Sequence, residues 1–422
     1  MTGPAYPLRA GAAAAVVDVE IGTPLSGYAA REGGATDTHD PCTARALAVE
    51  DTCWVAVDVC GLDRATCASV AVRVGLPDGH VVVTATHTHS GPACTPDRLA
   101  GDDALARARV VDAAVGAATQ ALAARRPVRL WWSSVPGAGV AVDRRAPSRP
   151  VDPPVDLLRL VGEQEDDVVG WLVSYPCHPV VLAADNRSVS ADYVWALRAE
   201  LEAQAPGSVA VFLPGTCGNV NNGHDAEASY TSAPLAGRTF AEAERIGRHL
   251  ARTALAAPTS EVDDAGAVEV RQATVELALA PLDTDAPATL AEHWTAELAG
   301  AGQGRAALLR AWLQWARRRS DGEPLAYRAV VTALRWGGLW VVGVPGEPFL
   351  SFADVLRQRV DGPVLVTGYT GDCPGYLPDT EAYRHGGYEV LDAHRYYGMP
   401  APFARGSAER LLEVAGGLVS TS

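Results

Sequence analysis

The sequence predicts an α/β fold of mixed β-sheets flanked by helices. Short Val-rich apolar runs of strand length alternate with segments whose apolar residues recur at helical spacing, and Gly and Pro punctuate the joins. No internal repeat, low-complexity block or long polar linker divides the 422 residues. One domain over 1–422 is therefore expected, with its core at about 10–400.

Strands are expected at Trp54–Val59, Val81–Thr86, Val128–Ser133, Val168–Tyr175, Val209–Leu213, Val268–Leu279, Tyr327–Trp336, Leu339–Val344 and Val364–Tyr369. Asp103–Ala124 reads as a helix because Leu105, Val110, Val111, Val115, Ala118 and Leu122 fall on one face, which should pack on a sheet. A second helix is expected to start from Ser190 as N-cap, carry Asp192 in its first turn and end near Ala203, ahead of Pro206-Gly207. A third, Ala288–Arg319, ends in Arg317-Arg318-Arg319, positive charges that suit a helix C-terminus.

Composition narrows the function. A formal net charge of -15 and the lack of any basic stripe argue against nucleic-acid binding, which needs clustered cations. There is no lysine, which removes Schiff-base chemistry from the catalytic menu. No run approaches the roughly eighteen apolar residues of a membrane span, and Ala10–Val17 lacks the charged start and cleavage site of a signal peptide. A cytoplasmic protein without stable membrane association is expected. The eight cysteines show no Cys-x-x-Cys spacing and sit in apolar surroundings, as small buried hydrophobes in a reducing compartment would.

Chemistry concentrates at strand ends. Val81-Val82-Val83-Thr84-Ala85-Thr86-His87-Thr88-His89-Ser90-Gly91-Pro92 runs an apolar strand into two histidines two residues apart, a spacing that lets both address one site. Trp171–Tyr175 likewise delivers His178, and Trp340–Val344 delivers Glu347 through Pro345-Gly346. Carboxyl ends of strands facing a crevice are where α/β folds place ligands. Two histidines and a carboxylate there suit a catalytic zinc shell with one position left for water. Zinc is preferred over magnesium because imidazole suits it better. Leu213-Pro214-Gly215-Thr216-Cys217-Gly218-Asn219 is a strand followed by a glycine-rich loop; it suits either close backbone approach to a substrate oxygen or a tight structural turn.

Thr86-His87-Thr88-His89-Ser90-Gly91-Pro92 resembles the signature of the neutral (non-lysosomal) ceramidase family. Other stretches agree in order: Gly27-Tyr28-Ala29, His39-Asp40-Pro41, Asp143-Arg144-Arg145, Cys177-His178-Pro179, Ser190-Ala191-Asp192, Pro345-Gly346-Glu347-Pro348-Phe349 and Gly375-Tyr376-Leu377-Pro378, then Gly386-Gly387-Tyr388-Glu389. The resemblance spans about Ala10 to Val390 and implies that family's catalytic-domain fold, here without a C-terminal immunoglobulin-like domain.

The resemblance also implies one Zn2+ held by His87, His178, Glu347 and Tyr376, with Cys373 as an alternative fourth ligand where many relatives have tyrosine. It places His89 beside the metal as a proton carrier and Arg144 as an oxyanion stabiliser. His39, Asp40, Asp58 and Asp192 match recurrent family positions and are expected to orient the ligands, and Gly215 and Asn219 lie in the loop that follows a strand in that family's site. The implied reaction is hydrolysis of an amide by a metal-activated water. A soluble N-acyl amine, N-acyl amino acid or small amide is expected rather than a membrane ceramide, given the acidic balance. The rivals are an amidohydrolase barrel, which needs further histidines and an aspartate in set order, and a non-hydrolytic relative that binds an acylated ligand or joins an acyl group to an amine.

Overall fold

In the computed structural model, residues 8–96, 98, 102–164, 167–224, 231–263, 268–281, 286–319 and 322–420 are described. Three mixed sheets share one construction: antiparallel strands on one side, and at the other edge a parallel pair joined by a helix. In the first sheet, Arg9–Val16, Thr43–Val49 and Thr52–Val57 are antiparallel neighbours, and Val81–Ala85 lies parallel to Thr52–Val57. The crossover is helix α1, Arg64–Val74, capped by Asp63. Helix α2, Ala104–Ala123, is capped by Asp103 and covers this sheet.

The second sheet sets Arg129–Val135, Val155–Val161 and Val168–Ser174 antiparallel, with Val209–Leu213 parallel to Val168–Ser174. Its crossover, helix α3 (Tyr193–Gln204), packs against helix α4, Phe240–Ala256. In the third sheet Glu269–Ala278, Ala326–Trp336 and Leu339–Gly343 are antiparallel, and Val364–Thr367 runs parallel to Leu339–Gly343. Parallel strands need such crossover connections, whereas a short turn joins Trp336 to Leu339.

The period-two alternation of strand side chains explains the core. Trp54, Ala56 and Val82 of the first sheet share one apolar cluster with Leu158, Leu172 and Val211 of the second and Leu334, Trp336 and Val341 of the third. Their neighbours Val55, Val57 and Val83 turn the other way, into a cluster with α2. The two buried indoles in this layer are satisfied by hydroxyls: Trp54 Nε1 donates to Thr84 Oγ1 and Trp336 Nε1 to Thr52 Oγ1, both at 3.0 Å.

Three expectations need correction. The helix read as Ala288–Arg319 is two, α5 (Pro287–Leu298) and α6 (Gln303–Arg318), because Gly300-Ala301-Gly302 interrupts the helical backbone. The cap of α3 is Asp192, not Ser190: its carboxylate accepts from Tyr193 N at φ +57°. Leu105, assigned to the buried face of α2, is 54% exposed at the first turn, while Val110, Val111 and Ala118 are buried. The strands Arg9–Val16, Thr43–Val49 and Val155–Val161 escaped notice because Ala-rich or charge-interrupted runs carry weak strand signal.

Candidate metal centre

The three parallel pairs aim their carboxyl ends at one place. The first pair delivers Cys60 and His87, the second His178 and Cys217, the third Glu347 and Tyr369. Main-chain bonds lock the ends together: Ala85 N donates to Tyr369 O at 3.1 Å and Gly368 N to Gly215 O at 2.8 Å. His87 adopts a left-handed φ of +69°, held by its backbone N–H bond to Val59 O at 3.0 Å.

Donor atoms of His87, His178 and Glu347 all lie within 4.8 Å of one another. His87 Nδ1–H donates to the carbonyl of Cys60 at 2.5 Å and His178 Nδ1–H to the carbonyl of Val220 at 2.9 Å. Both rings thereby commit Nδ1 to a backbone carbonyl and turn Nε2 toward the shared space. Glu347 Oε2 lies 3.1 Å from His178 Nε2 and 3.6 Å from His87 Nε2. All three side chains are almost wholly buried.

Burial opposes ionisation of Glu347, but His87, His178 and Tyr397 outweigh it and hold the carboxyl below its ordinary range. Burial pushes His87 down to about 3 and His89 well below its usual value. Burial alone would lower His178, yet Cys217 and Glu347 raise it to about 9. An ionised carboxylate facing two oriented imidazoles is a pocket that favours a positive charge, and this donor set fits zinc.

His89 Nε2 stands 3.3 Å from His87 Nε2, while its buried Nδ1 has no hydrogen-bond partner among the described residues. Gly27 makes room for the ring: at φ +105°, a Cβ there would meet His89 Cγ at 2.3 Å. Tyr376 stacks on His178 with ring centroids 6.4 Å apart, and the Arg144 guanidinium lies 5.4 Å from the Tyr376 centroid. Arg144 is fixed by Glu389 Oε1 at 2.8 Å and by the Gly218 carbonyl at 2.9 Å. Burial works against its charge, but Tyr376 and Glu389 raise its pKa well above the ordinary value. Cys373 Sγ approaches Glu347 Oε1 at 3.9 Å, and burial pushes that thiol's pKa up.

No family model and no curated protein matches the sequence. Solved structures do match in three dimensions. The neutral ceramidase from Pseudomonas aeruginosa superimposes with a TM-score of 0.76 at 19% identity, over 98% of this chain and 74% of the ceramidase. A ceramidase complexed with C2 gives 0.74, also at 19% identity, over 99% and 77%. The chain has the neutral ceramidase fold.

Within this ceramidase fold, the remaining residues singled out from the sequence brace the site from a distance. Asp40 accepts from Ser190 Oγ at 2.6 Å and Ala191 N at 2.8 Å, and Asp192 accepts from Leu182 N at 2.9 Å. Asp58 takes both guanidinium nitrogens of Arg198, at 2.9 and 2.8 Å, and also accepts from Thr86 Oγ1 beside His87. His39 stacks on Phe240 with centroids 3.8 Å apart, and its Nδ1 bonds Asp40 rather than a metal-site residue. Asn219 accepts from Leu350 N and donates to Asp143, and Gly215 turns at φ +67° against Pro176.

Sequence reading missed Tyr369 and Tyr397. Tyr369 Oη lies 3.3 Å from Glu347 Oε2 and 3.2 Å from Cys217 Sγ, and Tyr397 Oη donates to Glu347 Oε1. Tyr369 could have been found by the signal that found the others, a polar group at a strand's carboxyl end. Tyr397 lies in an irregular segment with no such signal.

Proposed function

We propose that the chain is a zinc-dependent hydrolase of linear amide bonds in N-acyl amines. The observation that carries this reading is the convergence of His87, His178 and Glu347, each imidazole turned by a backbone carbonyl so that Nε2 faces the shared space. That the two matching structures named above are ceramidases supports an amide as the substrate bond.

When bound there, zinc supplies Lewis acidity, polarising the amide carbonyl and easing deprotonation of water. His87, His178 and Glu347 would hold that ion, with the Tyr376 phenol, beside the fixed charge of Arg144, as fourth ligand and Cys373 as the alternative. Arg144 stays protonated, so its contribution to the developing oxyanion is electrostatic. His89, whose Nε2 lies 3.3 Å from His87 Nε2, would accept a proton and pass it to the leaving amine. Asp40, Asp58 and Asp192 act by positioning the loops that carry these groups.

The test is elemental analysis of the purified protein and of His87→Ala and His178→Ala, beside release of free amine from short N-acyl substrates. About one zinc per chain, lost in both variants together with amine release, is the expected result. A well-folded protein that binds no zinc when supplied with it would overturn the mechanism.

A further inference from the structure

One face of α6 points away from its own helical pair. Leu309, Trp312, Leu313 and Ala316 pack with Leu290 and Trp294, joining α6 to α5. The residues Ala307, Arg310, Ala311 and Gln314, spaced to share a different face, line a cavity of about 490 Å³ whose opposite wall is the loop from Pro24 to Gly34. Tyr28 in that wall meets the His89 ring edge-on with centroids 4.8 Å apart, and Arg31 Nη1 donates to the His89 carbonyl at 2.7 Å. The cavity therefore abuts the loop that carries His89.

Gln314 also lines a smaller opening, together with Arg98, Arg318, Arg319 and Arg395. There the Arg98 guanidinium lies 4.4 Å from the centroid of Tyr397, whose phenol bonds Glu347. The two openings share Gln314, and one lining residue of each, Tyr28 and Arg98, leads to the His89 and Glu347 sides of the candidate centre.

In a chain of net charge -15, the charged side chains lining these openings are six arginines against Glu32. Several already have work. Arg31 donates to main-chain carbonyls, Arg319 pairs with Glu323, and Arg395 pairs with Asp392 while its guanidinium lies 4.5 Å from the Trp312 centroid. Arg310 differs: it is exposed at the cavity rim and has no ion pair or hydrogen bond among the described residues. A guanidinium at the edge of a concave wall attracts an oxyanion and can grip two of its oxygens with parallel hydrogen bonds.

We propose that this cleft receives an anionic group of the substrate, a carboxylate or a sulfonate, and that Arg310 is the side chain that selects it. The inference rests on the amide-hydrolase reading. In an N-acyl amide the acyl end is apolar, so the anion belongs to the amine portion, and the substrate class is an N-acyl amino acid or N-acyl aminosulfonate. Glu32 would favour a cationic amine portion, but Arg31 and Arg310 outnumber it at this cavity.

The experiment is calorimetric titration of the zinc-loaded protein with N-lauroylglycine and with uncharged N-lauroylethanolamide, in the wild type, in Arg310→Glu and in Arg317→Glu. Arg317 is an exposed cation on the same helix that lines neither opening. The wild type is expected to bind the anionic ligand at least about tenfold tighter, with that ratio lost in Arg310→Glu and kept in Arg317→Glu. Equal affinities in the wild type, a ratio untouched by Arg310→Glu, or binding of neither ligand would overturn the cleft assignment. Amine release from the same two compounds is read separately. Selective binding without release would sink hydrolysis and leave the cleft standing; release without selectivity would do the reverse.

Discussion

His178 and Glu347, 169 residues apart in the chain, meet with Nε2 and Oε2 3.1 Å apart, and neither side chain reaches solvent. The contact joins the second sheet to the third. Whatever changes the orientation of one partner must change the donor set of the other.

Tyr397 fixes the far oxygen of that carboxylate. Tyr397→Phe keeps the ring under Arg98 and removes only the hydroxyl, so folding should be nearly unchanged. Loss of an outer hydrogen bond to a metal ligand typically weakens metal affinity about 10–100-fold. Competition against a chelator of known zinc affinity measures it. An unchanged affinity would show that Glu347 is oriented without its phenol partner.

The fourth ligand can be assigned by two substitutions. Tyr376→Phe is expected to lower zinc retention after dialysis and to reduce amine release by at least about 100-fold, since the ligand oxygen and its hydrogen bond to Arg144 are lost while the ring under Arg144 stays. Cys373→Ser should retain its zinc. The reverse pattern would move the assignment to the thiol.

Asp58 and Arg198 form a fully buried bidentate pair under His87. Arg198→Met strands the carboxylate and should cost about 3–5 kcal/mol in denaturant unfolding. Burial works to raise the Asp58 pKa, but Arg198 and Thr43 more than offset it, leaving it below the ordinary carboxylate value. A depressed folded pKa means the stabilisation is complete above the unfolded value of about 4 and disappears as pH falls through the folded one. Chemical denaturation at stepped pH should show a steeper acid limb in the wild type than in the Asp58→Leu/Arg198→Leu double variant.

Gly27→Ala tests how closely His89 is confined. The added methyl meets the ring at 2.3 Å, and the backbone is left-handed, so about 1–3 kcal/mol of strain is expected. The expected signature is a kcat about tenfold lower or worse with zinc content intact, because His89 moves while the three ligands do not. Full activity would remove His89 from proton transfer.

Much of the site was legible in the sequence because its signals are local. His87, His178 and Glu347 follow the strands Val81–Ala85, Val168–Ser174 and Leu339–Gly343 within a few residues, so they could be read as strand-end groups from the apolar runs ahead of them. The resemblance to neutral ceramidases at the level of fold was readable in the same way, from motifs that keep their order along the chain.

The tertiary structure decided what depends on partners distant in sequence. The carbonyls of Cys60 and Val220 orient both histidine rings, yet every residue has a carbonyl, and no side-chain pattern marks these two. Tyr397 reaches Glu347 from an irregular segment. The break at 299–302 turned one expected helix into a pair, and that turn brings Arg310 to the wall of the cleft. Strand direction and residue chemistry are written along the chain, whereas the meeting of three sheet edges is a property of how their apolar faces pack.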